Sequence, residues 1–486
     1  MKKQIKKLAV WGALVVMLAV SIFLIAGCTE STILPPGTPL FESNFNFGIS
    51  VTHYRWDTGA AHAAARDRAM ALLRELNPHQ PLIHNIHIMG WGSPNPWPSR
   101  DAPMDFSGIR TRVNLALSLG HEPWITLCTA PGWMKSLNHN PTHQHPDNAD
   151  WWMDNAPLPQ FEDDFARLSA EIARAFPEVR VFQVWNEFKG MWSGGNLDRT
   201  RYVRLYNKVY NAIRAVRPDA VIGGFYAVVE GDGTWELFSH LPQIENNRRT
   251  VVPLSDDVRT ALEYFLARAV GVDKVLFSQL NVHFHNCGYW PGFENTRFRA
   301  TADQAMMLTR NFRRVAEQAA QMTSARGMPN LPIVFAEYYG TYGDNNADAP
   351  FMPINNQFIA AHYSSIIYNM IMGAGGRDLY ALLWIERDDI IRHALFTDTR
   401  TSTGGQPTPH FHAMRKLLEY FPPGTMLYSA ELTSPGVQQS RIGDVVEALV
   451  SDRVAFVINK TNRNLSITLN GREHILSPYA VEVFYH

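Results

Sequence analysis

The stretch VRVFQVWNEFKGMW, Val179 to Trp192, decides how the rest of the chain is read. Val179, Val181, Phe182, Val184 and Trp185 are β-branched or aromatic, the composition of a buried strand. The run ends in Asn186 and Glu187, polar and acidic. A carboxylate at such a place costs several kcal/mol of desolvation, roughly, unless it is paired or its pKa moves. Glu187 therefore has either a structural partner or a chemical task.

Similar runs recur on both sides of it. Strands are expected at Phe47–Val51, Leu82–Met89, Pro123–Thr129, Val179–Trp185, Ala220–Tyr226, Val275–His283, Pro332–Ala336 and Tyr380–Ile385. Helix-period segments separate them: Ala60–Leu76, Gly108–Leu119, Phe161–Phe176, Arg201–Val216, Asp257–Ala269, Ala302–Ala325 and Gln357–Gly373, with Pro409–Tyr420 after the last. Eight strand–helix units in succession imply an α/β fold closed as a (β/α)8 TIM barrel. An open doubly wound sheet is the rival, but no G-x-G-x-x-G follows the first strand, where the chain reads GISVTH. From about Thr425 the pattern changes to period two, in VVEALVSDRVAFVINKTNRNLSITLN and YAVEVFYH. That tail reads as a small antiparallel β-sandwich, to which Phe41–Phe45 can add a strand. The expected organisation is residues 1–27 signal peptide, 28–40 tether, 41–424 catalytic barrel and 425–486 β-sandwich.

The N-terminus supplies the first two of these segments. Lys2, Lys3, Lys6 and Lys7 precede an uncharged run from Leu8 to Gly27, the layout of an export signal. LIAGC, Leu24 to Cys28, resembles a bacterial lipobox, which implies lipidation at Cys28 and an extracytoplasmic, membrane-anchored protein. An uncleaved anchor is the alternative, since about 20 apolar residues span a bilayer. Beyond residue 27 there are 40 basic against 45 acidic residues, −5 in all, and no basic run. That balance makes the chain a poor candidate for binding nucleic acid. Cys128 and Cys287, the cysteines left after Cys28, match no zinc spacing and are expected to be free buried thiols.

In such barrels chemistry sits where the strands end, because the strand–helix loops meet there. The fourth strand ends in WNE with Glu187, and the seventh, IVFAEYYG, carries Glu337. Two carboxylates facing one another across the mouth meet the requirement for glycoside hydrolysis, one protonated and one ionised. A structural pairing of each acid is the alternative. Trp91, Trp97, Trp133, Trp151, Trp152, Trp192, Trp290 and Trp384 lie at or after strand ends. Their indoles suit the C–H faces of sugar rings, or they anchor long loops. His139, His143 and His145 share a loop without zinc-motif spacing, and Glu386, Asp388 and Asp389 either line a subsite or are solvated.

With WNE on the fourth strand and Glu on the seventh, the chain resembles the clan A glycoside hydrolases, and its layout is most similar to glycoside hydrolase family 39. The resemblance implies a retaining β-glycosidase without cofactor or metal. In it Glu187 is acid/base, Glu337 is nucleophile and Asn186 bonds the sugar 2-hydroxyl. NVHFHNCGYW places His283 at the family's His position, with His285 where Tyr is usual. Trp384 in LLWIERDD corresponds to the aromatic floor of the catalytic subsite, and APGWMK, with Trp133, is similar to loops of related families. Trp133, Trp91, His283 and His285 are thus the further substrate-binding candidates. The Arg that often braces the nucleophile from the second strand is absent from LIHNIHIMGWG, leaving His84, His87 or Arg55 for that place. The expected partner is a carbohydrate, cleaved from its end or internally. A catalytically inactive carbohydrate-binding lipoprotein on the same barrel is the rival reading.

Overall fold

The computed structural model describes residues 37–52, 62–90, 92–135, 155–193, 196–229, 256–283, 302–342, 357–385 and 395–486. Eight parallel strands close on themselves: β1 Pro39–Val51, β2 Ile83–His87, β3 Glu122–Leu127, β4 Val181–Val184, β5 Val221–Val229, β6 Lys274–His283, β7 Ile333–Tyr342 and β8 Asp378–Trp384. Closure is made by β1 against β8, in register from Asn44↔Asp378 to Ser50↔Trp384. The fold is a TIM barrel with a C-terminal β-domain.

The strands are buried on both faces, as their near-continuous apolar composition requires. Outward residues such as Phe182, Phe277 and Phe335 pack in the main core beneath the helices. Inward residues Ile83, Trp124, Val181, Leu276, Val334 and Leu382 fill the lumen. Gly48 lies at the seam, where an added Cβ would stand 2.6 Å from the Ile83 Cβ and 2.8 Å from a Leu382 methyl. Only glycine lets β1 approach both neighbours there.

The helices are α1 Ala63–Glu75, α2 Ser107–Ser118, α3 Glu162–Ala175, α4 Arg199–Val216, α5 Asp256–Arg268, α6 Ala302–Leu308, α7 Arg310–Ala325, α8 Gln357–Ala374 and α9 Pro409–Tyr420. One expected helix, Ala302–Ala325, is two. It breaks at Thr309, whose hydroxyl donates to the Met306 carbonyl at 2.8 Å and meets the Ser365 hydroxyl at 2.8 Å.

The first half of β1 leaves the barrel and pairs antiparallel with β9, Thr425–Tyr428. Through β9 it joins β11 Val446–Val450, β12 Val454–Asn459 and β15 Val481–Tyr485. A second sheet of β10 Leu432–Thr433, β13 Leu465–Leu469 and β14 Arg472–Leu476 covers it. Val446, Val450, Val457, Leu465, Ile467 and Leu476 are buried in the apolar cluster of this domain.

A buried polar network ties the domain to α8. Lys460 Nζ donates to Glu447 Oε1 at 2.7 Å, Asn369 Nδ2 to the same oxygen at 3.1 Å, and Ser365 Oγ to Oε2 at 2.6 Å. Removing one member of a buried ion pair leaves the other charge uncompensated. Glu447→Ala is expected to lower unfolding free energy by about 3–5 kcal/mol in urea denaturation. A loss below about 1 kcal/mol would mean that water already reaches Lys460.

Candidate active site

The backbone turns sharply where β4 ends. Trp185, Glu187 and Phe188 have φ of 66°, 52° and 53°, the left-handed region that non-glycine residues seldom adopt. Three such residues within four positions mark a segment held by its surroundings. Trp185 is fixed by its indole N–H, which donates to the Lys189 carbonyl at 2.8 Å, and by the Phe165 ring 5.6 Å away. Asn186 is buried, and its Oδ1 has no hydrogen-bond partner among the described residues. A buried acceptor of this kind is suited to a ligand hydroxyl. Glu187 meets Lys189 Nζ at 3.2 Å, in a pair that is partly open to solvent.

Glu337 reaches the mouth by a β-bulge. Phe277 pairs with Phe335, but the next residue, Ser278, pairs with Glu337, so Ala336 is extra. The bulge re-aims the side chain that follows it. Glu337 is 4% exposed. His87, at the end of β2, lies with Nε2 3.4 Å from Glu337 Oε1. Of the residues open for the place of the missing Arg, the structure brings His87 to Glu337. His84 points elsewhere, its Nδ1 3.3 Å from that of His121, and burial holds it well below the ordinary histidine range.

Tyr226 was not singled out from sequence. A second bulge, between Gly224 and Ala227 of β5, turns it inward, with Phe225 at φ 60°. Its hydroxyl interacts with the Glu337 carboxylate. Burial, followed by the charges of Glu337 and Glu187, pushes that hydroxyl well above the usual tyrosine range. Tyr226 thus remains protonated as a donor, and it feels both acids, which converge on the same end of the lumen. One layer below His87, Asn85 Nδ2 donates to Ser50 Oγ at 2.9 Å. Thr126 Oγ1 and Gln183 Nε2 donate to Asn85 Oδ1, at 2.9 and 3.3 Å. This polar layer sits above the apolar lumen.

The aromatic candidates divide. Trp384 ends β8 with its ring 4.8 Å from that of Tyr339, and its indole N–H donates to Thr52 Oγ1 at 2.7 Å. Trp133 donates its N–H to the Trp97 carbonyl at 2.9 Å and is met edge-on by the Trp97 and Phe161 rings. Those are the contacts of a loop anchor. His283 is the last residue of β6, opposite Tyr342. Cys128 is buried. Trp91, His285, Cys28, Arg55, Cys287, the His139–His145 loop and Glu386, Asp388 and Asp389 lie outside the described residues. Among the described residues no group of acids, histidines and cysteines is arranged to hold a metal, and no helix is long and apolar enough to cross a membrane.

Comparison with solved structures gives the same architecture. A conserved exported protein from Bacteroides fragilis aligns with a TM-score of 0.57 at 14% identity, over 92% of this chain and 96% of that one. The GH39 enzyme from Xanthomonas axonopodis pv. citri aligns with a TM-score of 0.54 at 16% identity, over 87% and 73%. A family 51 α-L-arabinofuranosidase from Bifidobacterium longum aligns at 0.53 and 12% identity, over 88% and 86%. The likeness is one of fold. No family model and no curated protein sequence matches the chain.

What ties the end of β4 to the bulge of β5 is a tyrosine on α4. The Tyr202 hydroxyl donates to the Val184 carbonyl at 3.0 Å and accepts from the N–H groups of Phe225 at 2.8 Å and Tyr226 at 3.3 Å. Phe188 stacks on its ring at 4.2 Å. Tyr202→Phe leaves buried backbone groups on β4 and β5 unpaired, each costing about 1–3 kcal/mol. Urea denaturation should register a loss of at least about 1–3 kcal/mol, the cost of one such group, and an unchanged midpoint would show that other groups hold the strand ends.

Proposed function

We propose that the chain is a retaining glycoside hydrolase acting on β-linked carbohydrate, with Glu187 as acid/base and Glu337 as nucleophile. The placement of Glu187 just past the end of β4 and of Glu337 on β7, with the charges of both acting on the buried Tyr226 hydroxyl, supports this reading most directly. Two interacting acids in a low-dielectric mouth acquire different proton affinities, which the double displacement requires. Glu337 is the drier of the two, and it faces the donors expected around an attacking carboxylate. Glu187 is more open and lies beside a cation.

The double displacement needs Glu187 protonated while the leaving oxygen departs and ionised while it activates water, and Lys189 stands beside it in both steps. Asn186 Oδ1 accepts from the sugar 2-hydroxyl, and Trp384 forms the floor of the subsite, with its ring angle set by Thr52. Residues 1–27 direct export, and Cys28 carries a lipid that tethers the enzyme outside the cytoplasm.

The absence of a second-strand Arg favours a second reading, a barrel that binds carbohydrate without cleaving it. His87 stands beside Glu337 where an arginine would otherwise be placed.

Glu337→Ala should lower turnover of an aryl β-glycoside at least about 100-fold, judged by the scale of lost catalytic groups. Added azide should restore cleavage and yield the inverted glycosyl azide. A retained azide product would exchange the roles of the two glutamates. Saccharide binding by the native protein, with no cleavage across aryl glycosides and polysaccharides, would establish the binding-only reading.

A further inference from the structure

The barrel is open at its other end too. Among the first residues of the strands lies a cavity of about 230 Å³, lined in part by Asn46, Gln80, Glu122, Trp124, Lys274 and Tyr380. Pro81, Glu122 and Arg180 at its rim are exposed, whereas Ile83, Trp124 and Val181 are buried. The cavity therefore meets solvent on one side and the lumen core on the other.

Lys274, the first residue of β6, is 6% exposed. Its Nζ stands 3.6 Å from the centroid of the Tyr380 ring and 5.2 Å from that of Trp124. Among the described residues it has no hydrogen-bond acceptor and no carboxylate at ion-pair distance. The acids that act on it from further away are Asp378, Glu122 and Asp273. Two of these are engaged elsewhere. Glu122 accepts the Trp124 indole N–H at 3.0 Å, and Asp273 is held by Arg214 at 2.6 Å and by the Ile222 N–H at 2.7 Å. Other lysines differ. Lys460 is sealed against Glu447, Lys189 pairs with Glu187, and Lys208 pairs with Asp163 at 2.8 Å.

We propose that this cavity is a site of covalent carbonyl capture, in which the Lys274 amine condenses with a small aldehyde. A buried lysine amine is the usual nucleophile for Schiff-base formation. Burial pulls Lys274 down to about 8, against the opposing charges of Asp378, Glu122 and Asp273. At pH 7.5 about a quarter of it is then free amine, against about one part in a thousand for an ordinary surface lysine. The Nζ lone pair attacks the carbonyl carbon to give a carbinolamine. The carbonyl oxygen then leaves as water with the two amine hydrogens, and the carbon–nitrogen double bond remains. The Tyr380 and Trp124 faces and the three acids favour the protonated imine, against the same burial that favours the free amine. The cavity is smaller than the roughly 300–1,000 Å³ of drug-sized sites, which limits it to short aldehydes. The inference is independent of the carboxylates at the opposite mouth.

The test is reductive trapping on the native full chain, with glycolaldehyde and cyanoborohydride at pH 7.5, followed by peptide mass mapping over time. Lys274 should be labelled about tenfold faster than Lys416 on α9, and its rate should rise with a midpoint near pH 8. Lys274→Arg should remove the fast phase and leave the labelling of Lys416 unchanged. Labelling of Lys274 no faster than Lys416, or a rate still climbing steeply above pH 9, would overturn the proposal.

Discussion

A carboxylate kept almost dry at the end of a strand is the constraint that the barrel mouth serves. An ionised group so placed is tolerated only where donors are aimed at it beforehand. Glu337 has polar groups beside it from two other strands, His87 from β2 at 3.4 Å and Tyr226 from β5. Neither would face it in a regular sheet. A bulge on β7 turns the acid and a bulge on β5 turns the tyrosine, so two local irregularities are matched across the lumen. Bulges also bend and twist the strands that carry them. The helices answer this by gripping backbone as well as packing side chains. Tyr202 takes hold of β4 and β5, and Tyr363 on α8 accepts from the Gly340 N–H of β7 at 2.8 Å.

The barrel was legible in the chain because its strands are buried on both faces, and few other folds place continuous apolar runs at such regular intervals. Glu187 and Glu337 stood out for a related reason, as charges at the ends of such runs. What escaped was information that composition does not hold. A bulge is one additional residue, and Ala336 or Phe225 in an apolar strand looks like any other core position. Tyr226 therefore read as the last residue of a strand. Tyr202 read as one apolar position of an amphipathic helix, because nothing in a helical period distinguishes a ring that packs from a hydroxyl that bridges two strands. The break at Thr309 escaped likewise, since its hydroxyl partners lie on its own preceding turn and on α8.

His87 shows how far a pattern can narrow a choice without making it. Alternation along β2 puts Ile83, Asn85 and His87 on one face and His84 on the other. The second strand thus carried the answer, but only the placement of the lumen decided which face was inside. Trp133 shows a contact no pattern carries, with its indole N–H on the Trp97 carbonyl and its ring packed at a steep angle to those of Trp97 and Phe161.

The strand β1 belongs to two sheets at once, and this has a bearing on biogenesis. It is the first strand of the barrel along the chain, yet its partners β8 and β9 lie more than three hundred residues later. Until those arrive, the barrel is an open sheet with an unsatisfied edge and an exposed lumen. Contacts of such long sequence separation slow folding and prolong exposure to aggregation. A barrel whose first strand must pair with the far end of its own chain cannot close before that end is present.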